Sequence, residues 1–397
     1  MQAQVKDETN ILDFTSEGLH PKNKIQKERL LEADHWICME RAKYYTDSYQ
    51  ETEGEHPSVR TAKALKHTFE NMTIKIYPEE LLVGNRSSKL IAPPIAPERG
   101  DMTFVISIML PILKKRYGYQ ITKEHKKWLN DYIIPYWEGK TVRDLKVQKF
   151  EKAGLASQLT LKDGGIKRLK NRFGFKNITR LVVDPNASLW DKIRFIFRLR
   201  TWIKAIKMST ADNVKGRGRC IDTQAHIVPG HKNVLKHGFK GIKERAEERL
   251  ESAKDDSERG FLEGVILVCE AMRDFSHRFS ERARALAEEE GDEQRKKELL
   301  TIAEICETVP WNPAETFHEA VQSLWFMQNA AIISYGSGSG ITPGRVDQLL
   351  YPYYENDVKS NDITHEEALR LIEEFIIKIN NNVVIWPNIM GVRLNHL

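Results

Sequence analysis

Cysteine is scarce in this chain. Only four occur in 397 residues, Cys38, Cys220, Cys269 and Cys306. None forms a CxxC pair, which argues against a disulfide framework and against a cysteine-built zinc site. Such sparing use suits a reducing cytoplasm, the expected location. Long hydrophobic runs are missing too. The most apolar stretch, Phe104 to Leu113, is too short to span a bilayer. The start, MQAQVKDETNILDF, lacks a basic region followed by an apolar core, so it does not read as a signal peptide. No GxxxxGK[ST] phosphate loop, internal repeat or low-complexity tract occurs.

What is present is globular in composition, with 41 % hydrophobic and 29 % charged residues. The net charge of +5 is unevenly spread. Residues 146–219 hold 19 Lys and Arg against 5 Asp and Glu, a net of +14, leaving −9 for the remainder. Within this block, 186–208 is amphipathic, with Lys192, Arg194, Arg198, Arg200 and Lys204 flanking an apolar stripe. It reads first as a surface helix whose long basic stems cover apolar surface. Membrane-surface contact, with Trp190 and Trp202 as anchors, stays open. A nucleic-acid partner is not expected, because no reader motif accompanies the charge.

Residues 1–24 are polar and aperiodic, an expected N-terminal arm. Helical periodicity covers Ile25 to about Tyr49, then 56–72, 258–290 and 292–308. Asn312 followed by Pro313 predicts the start of a helix reaching about Ile333. Thr364 with Glu367 is a capping box opening a helix to about Asn380. Short extended segments are predicted at 74–77 and 81–83. The fold class is a helix-rich α/β chain.

Three loops combine glycine with polar groups: NRSS at 85–88, CIDTQAHIVPGH at 220–231, and SYGSGSGITPGR at 334–345. The last has glycine at 336, 338 and 340, but it follows a helix rather than a strand, so the dinucleotide-binding context fails. His226 and His231 lie five apart around Pro229, with no carboxylates completing a metal set, so no metal is expected. They are either turn histidines bonded to backbone or substrate contacts. Cys38, Cys269 and Cys306 sit in apolar patterns and read as core. Cys220 lies near Arg217 and Arg219 but has no evident base, and a structural role is preferred for it.

Three segments carry a family resemblance. ETEGEHPSVRTAKALKHTFENMTIKIYPEELLVGN at 51–85 is similar to a TEGEP…R.AKAL…ELIVGN pattern. AHIVPGHKNVLKHGFKGI at 225–242 is similar to GHI.PDYEKVL..GF.GI. PGRVDQLLYPYYENDV at 343–358 is similar to FGRFDQYLYPYY..D. In this order and spacing they resemble the glycyl radical enzyme family, the pyruvate formate-lyase-like group. The resemblance covers most of 25–397, with 146–219 the least similar part.

The resemblance implies a ten-stranded α/β barrel of two half-barrels, of which this chain would form part. It implies a cysteine and a C-terminal glycyl radical that meet inside the barrel. The radical is installed by a separate iron–sulfur, S-adenosylmethionine-dependent activating enzyme, and the chain itself binds no cofactor. Lyase, dehydratase or decarboxylase chemistry on a small organic substrate is implied. The family's GCVE-type cysteine motif and RVAGY-type glycine motif do not occur here. The expectation is therefore an N-terminal portion of such an enzyme, inactive alone, whose partners are the activating enzyme and either the C-terminal half or a second copy. The alternative is a non-catalytic half-barrel partner or a membrane-associated binding subunit. Carried over by position, His226 is a substrate contact, with Arg219 and Gln224 beside it for an anionic group. Ser339 and Thr342 are candidates in the glycine loop, where Gly340 stands about where dehydratases place a polar residue.

Overall fold

A computed structural model describes residues 18–99, 118–152, 227–336 and 340–380. Helices dominate it: α1 (Pro21–Glu32), α2 (Glu40–Glu51), α3 (Pro57–Asn71), α4 (Lys123–Lys127), α5 (Ile134–Trp137), α6 (Val142–Lys152), α7 (His231–Glu251), α8 (Asp256–Glu289), α9 (Glu293–Thr308), α10 (Phe317–Tyr335), α11 (Val346–Ser360) and α12 (His365–Asn380). A π-helical stretch, Trp128–Ile133, joins α4 to α5. Among the described residues, extended pairing is limited to four isolated parallel bridges. No described helix is long and apolar enough to cross a membrane.

The 34-residue α8 is the organising element. Asp255 caps it by accepting from the Glu258 N–H at 2.8 Å. Its apolar stripe packs against α3, α7 and α9. There Phe69 stacks on Phe275 at 4.3 Å between centroids, and Phe279 and Phe326 close the cluster. A second core forms where α10 meets α12, around Leu324, Trp325, Leu371 and Phe375. A third gathers Ile37, Met39, Ile95, Leu129, Ile133 and Trp137. Cys38, Cys269 and Cys306 are all buried. Helix α7 bends at Gly238, where the Phe239 and Lys240 N–H groups donate to Pro310 and Trp311 carbonyls rather than within the helix, both at 2.9 Å.

Several expectations need correction. The arm over 1–24 ends sooner, because α1 already begins at Pro21 with His20 as its cap. Asn23, wholly buried, donates to the Arg370 carbonyl at 2.8 Å and to Glu373 at 2.9 Å. Residues 1–17 lie outside the described residues. The helical pattern of 25–49 is cut in two after Glu32, since the backbones of His35, Trp36 and Cys38 bridge to Ile91, Gln120 and Pro94. Helix α10 starts at Phe317 rather than at Pro313. Thr316 and Glu319 form a reciprocal capping box, while the Asn312 side chain is spent on the Thr308 carbonyl at 3.3 Å.

The predicted extended segment 81–83 pairs with no strand among the described residues. Its backbone is held by helix side chains. The Leu81 carbonyl accepts from His318 at 3.3 Å, Val83 exchanges two bonds with Gln322 at 2.8 and 2.9 Å, the Gly84 carbonyl accepts from Trp325 at 3.1 Å, and the Asn85 carbonyl from Asn329 at 3.1 Å. His318, Gln322, Trp325 and Asn329 recur at helical spacing, so one polar line on α10 carries the segment. On its other side Glu374 of α12, fully buried, accepts the Leu81 and Leu82 N–H groups at 2.9–3.0 Å. Burial pushes that carboxyl up to about 7. These bonds meet the backbone demand that a sheet would otherwise meet.

Candidate functional site

The 227–231 segment and the 340–345 loop are far apart in sequence and adjacent in space. Ile227 bridges Ile341 in parallel. The Ile227 N–H donates to the Gly340 carbonyl at 2.7 Å, and the Thr342 N–H donates to the Ile227 carbonyl at 3.0 Å. Gln328 of α10 braces the pair from beneath, donating to the Ile341 carbonyl at 2.9 Å.

The loop leaves α10 by a sharp turn. Gly336 has φ 66°, and a Cβ there would lie 2.1 Å from the Ala96 Cβ. Only glycine meets both demands. Arg41 secures the same corner. Its guanidinium, 3 % exposed, donates to the carbonyls of Ile333 at 2.5 Å, Ser334 at 2.8 Å and Ile95 at 3.2 Å, and forks onto Glu98 at 2.7 and 3.0 Å. The last carbonyls of α10 thus find donors in a buried side chain. At the far end of the loop Gly344 has φ 75°, and a Cβ there would meet Val228 at 2.7 Å.

His231 opens α7 beside this pairing. It is 2 % exposed, and among the described residues neither ring nitrogen has a hydrogen-bond partner. Burial pulls its pKa down to about 4, and nearby Gln328 opposes this only in part. The imidazole is therefore neutral at pH 7. Of the five residues expected at the site, Thr342 is described. It is exposed, and its hydroxyl accepts from the Gly344 N–H at 3.3 Å. Arg219, Gln224, His226 and Ser339 lie outside the described residues, as do Cys220 and the segment 186–208. Ile227, the chain neighbour of His226, sits in the bridge.

The buried thiols carry no nucleophile. Burial raises Cys38, Cys269 (to about 12) and Cys306 above the ordinary range. None of these three lines the 227–231 and 340–345 pairing, so no described cysteine fits a radical relay here. Among the described residues, no three His, Cys, Asp or Glu side chains are grouped to hold a metal ion. Arg41 and the polar line on α10 were not anticipated. The line was visible as His, Gln, Trp and Asn at helical spacing in a largely apolar helix.

The family model described as "Pyruvate formate lyase-like" matches residues 20–168 and 208–390. The chain belongs to this family. The interval between the matches, 169–207, falls inside the basic block. The isethionate sulfite-lyase of Nitratidesulfovibrio vulgaris is 32 % identical over 344 residues, 85 % of this chain and 36 % of that protein. The trans-4-hydroxy-L-proline dehydratase of Clostridioides difficile is 28 % identical over 95 % of this chain and 42 % of that protein. The glycerol-bound B12-independent glycerol dehydratase from Clostridium butyricum superposes with a TM-score of 0.69 at 29 % identity, covering 92 % of this chain and 40 % of that one. This chain spans roughly two fifths of the length of such relatives. By name these relatives are a lyase and two dehydratases.

Proposed function

We propose that this chain supplies the substrate-facing N-terminal portion of a glycyl radical enzyme acting on a small, polar organic molecule. The observation that carries the reading is the bridge between Ile227 and Ile341. It supports a single site in which His226, with Arg219 and Gln224, faces Ser339 and Thr342. Loops held on a rigid scaffold are the usual place for such contacts. A part of the ten-stranded barrel formed by this chain, and its cytoplasmic location, belong to the same proposal.

In this reading the chain binds and orients. The Thr342 hydroxyl and the His226 ring hold the polar groups of the substrate, and Arg219 takes an anionic one. The family's protein radical, installed by an activating enzyme, would supply hydrogen abstraction. The sequence contains neither of the family's two radical motifs, so no radical step is assigned to its residues.

The test has two parts. The 397-residue chain, incubated anaerobically with an activating enzyme and S-adenosylmethionine, should give no glycyl-type doublet in electron paramagnetic resonance. Saturation-transfer NMR should detect binding of isethionate, trans-4-hydroxy-L-proline or glycerol, lost in His226→Ala and weakened in Thr342→Val. A doublet from this chain would refute the division of labour. Binding that is indifferent to both substitutions would refute the site.

A further inference from the structure

The NRSS segment plays no part in the site above, yet it holds an unusual group. Arg86 follows Asn85 in the loop carried by α10, and it is 8 % exposed. Among the described residues its Nη1 has no hydrogen-bond partner. Its Nη2 makes one long bond, 3.4 Å, to the Lys378 carbonyl. The guanidinium stands 5.7 Å from the centre of the Trp325 ring. Burial alone pushes its pKa down, to about 10, so the cation persists at neutral pH.

Arg41 shows how this fold treats a buried guanidinium when the partner is its own: a carboxylate fork and three carbonyls. Arg86 has no such carboxylate among the described residues. The acid that lines the same cavity, Glu80, has both oxygens engaged, one by Lys378 at 2.5 Å and the other by the Tyr77 N–H at 2.9 Å. A buried cation with an idle donor is costly unless something pairs with it.

Arg86 lines a cavity of about 20 Å³ together with Glu80, Ser87, Lys89, Trp325 and Lys378. Three cations against one carboxylate leave the lining positive. Holding one water takes roughly 10–15 Å³ on this measure, so the space has room for a small group. The two halves of Ser87 are taken, its hydroxyl donating to the Lys89 carbonyl at 2.8 Å and accepting the Lys89 N–H at 3.2 Å. The idle donor is thus the guanidinium edge, whose planar fork matches a carboxylate.

We propose that the cavity beneath the Asn85–Ala92 loop binds one small monocarboxylate, received by Arg86. The inference does not rest on the proposed function. It concerns the Trp325 and Asn329 side of α10, whereas the paired loops are braced by Gln328. A space of this size takes a three- or four-atom monocarboxylate more readily than a five-atom tetrahedral dianion such as sulfate.

Formate is the probe. Saturation-transfer NMR on the full 397-residue chain should show saturable formate binding that acetate competes away and sulfate, at equal ionic strength, does not. Arg86→Gln should abolish it. If Arg86→Gln does not fold, Arg86→Lys keeps the charge without the fork and should weaken the dissociation constant at least about tenfold. Absence of formate binding to the wild type, or equal binding in the Arg86 variant, overturns the assignment. Equal competition by sulfate overturns it as well, because it would mean a general charge effect.

Discussion

Replacing His231 with phenylalanine should remove a pH-dependent weakness from the fold. The wild-type imidazole is buried with no partner on either nitrogen among the described residues, and burial pulls its folded pKa down to about 4. In the unfolded chain a histidine titrates near 6.5. Above that pH both states are neutral, and the group contributes no pH dependence. Below it the unfolded chain takes up a proton that the folded chain refuses, so stability falls as pH falls, levelling off near pH 4. The slope for one such group is about 1.4 kcal/mol per pH unit, giving about 2 kcal/mol lost between pH 7 and pH 5. Urea unfolding followed by far-UV circular dichroism at both pH values gives four stabilities. The wild type should lose about 2 kcal/mol more than His231→Phe over that interval. Other titrating groups are common to both proteins and drop out of the difference. Equal losses would refute the reasoning, since they would mean that His231 takes its proton freely in the fold.

Glu298 should be a hinge of stability, because it accepts from Lys22, Arg295 and Arg370 on three helices at 2.9–3.0 Å while 8 % exposed. Glu298→Ala should cost about 3 kcal/mol in urea unfolding, as expected when a buried pair loses one partner. These cations also hold the Glu298 carboxyl below the usual range, so its contribution is present above about pH 4.5 and fades as pH falls further. Gly336→Ala should destabilise by at least about 2 kcal/mol through positive φ and the contact with Ala96. A loss under about 0.5 kcal/mol would mean that this corner yields. Cys38, Cys269 and Cys306 should resist thiol labelling in the native chain and react on unfolding, as peptide-level mass spectrometry would show.

How much was legible in the sequence depended on where each segment finds its partners. Helices α3, α8, α9 and α12 were legible because each carries an apolar stripe and a local start signal, as Thr364 does by exchanging bonds with Glu367 at 2.7–3.2 Å. The start of α10 was misread because Asn312 and Thr316 both suit a cap. The choice fell to Glu319, which can close a box only with Thr316. Residues 81–83 look like a strand because they are extended and apolar. Their partners are side chains of one helix, which no local pattern announces. Of the site, the two loops were legible by their glycines and polar residues, while their union at Ile227 and Ile341 spans more than a hundred residues and leaves no local trace. Arg41 reads as an ordinary surface arginine until the corner it fills is known.

The polar line on α10 has a consequence for biogenesis. Residues 81–85 receive their bonds from residues 237–244 positions later in the chain. During synthesis at about 5–20 residues per second, that separation is a delay of roughly 12–50 s. Throughout it the backbone of an apolar segment lacks these partners, while α2 and α3, which precede it in the chain, can already form. A ribosome paused before codon 317 would hold a nascent chain with this segment bare, a natural point of capture for a chaperone that grips short extended apolar stretches.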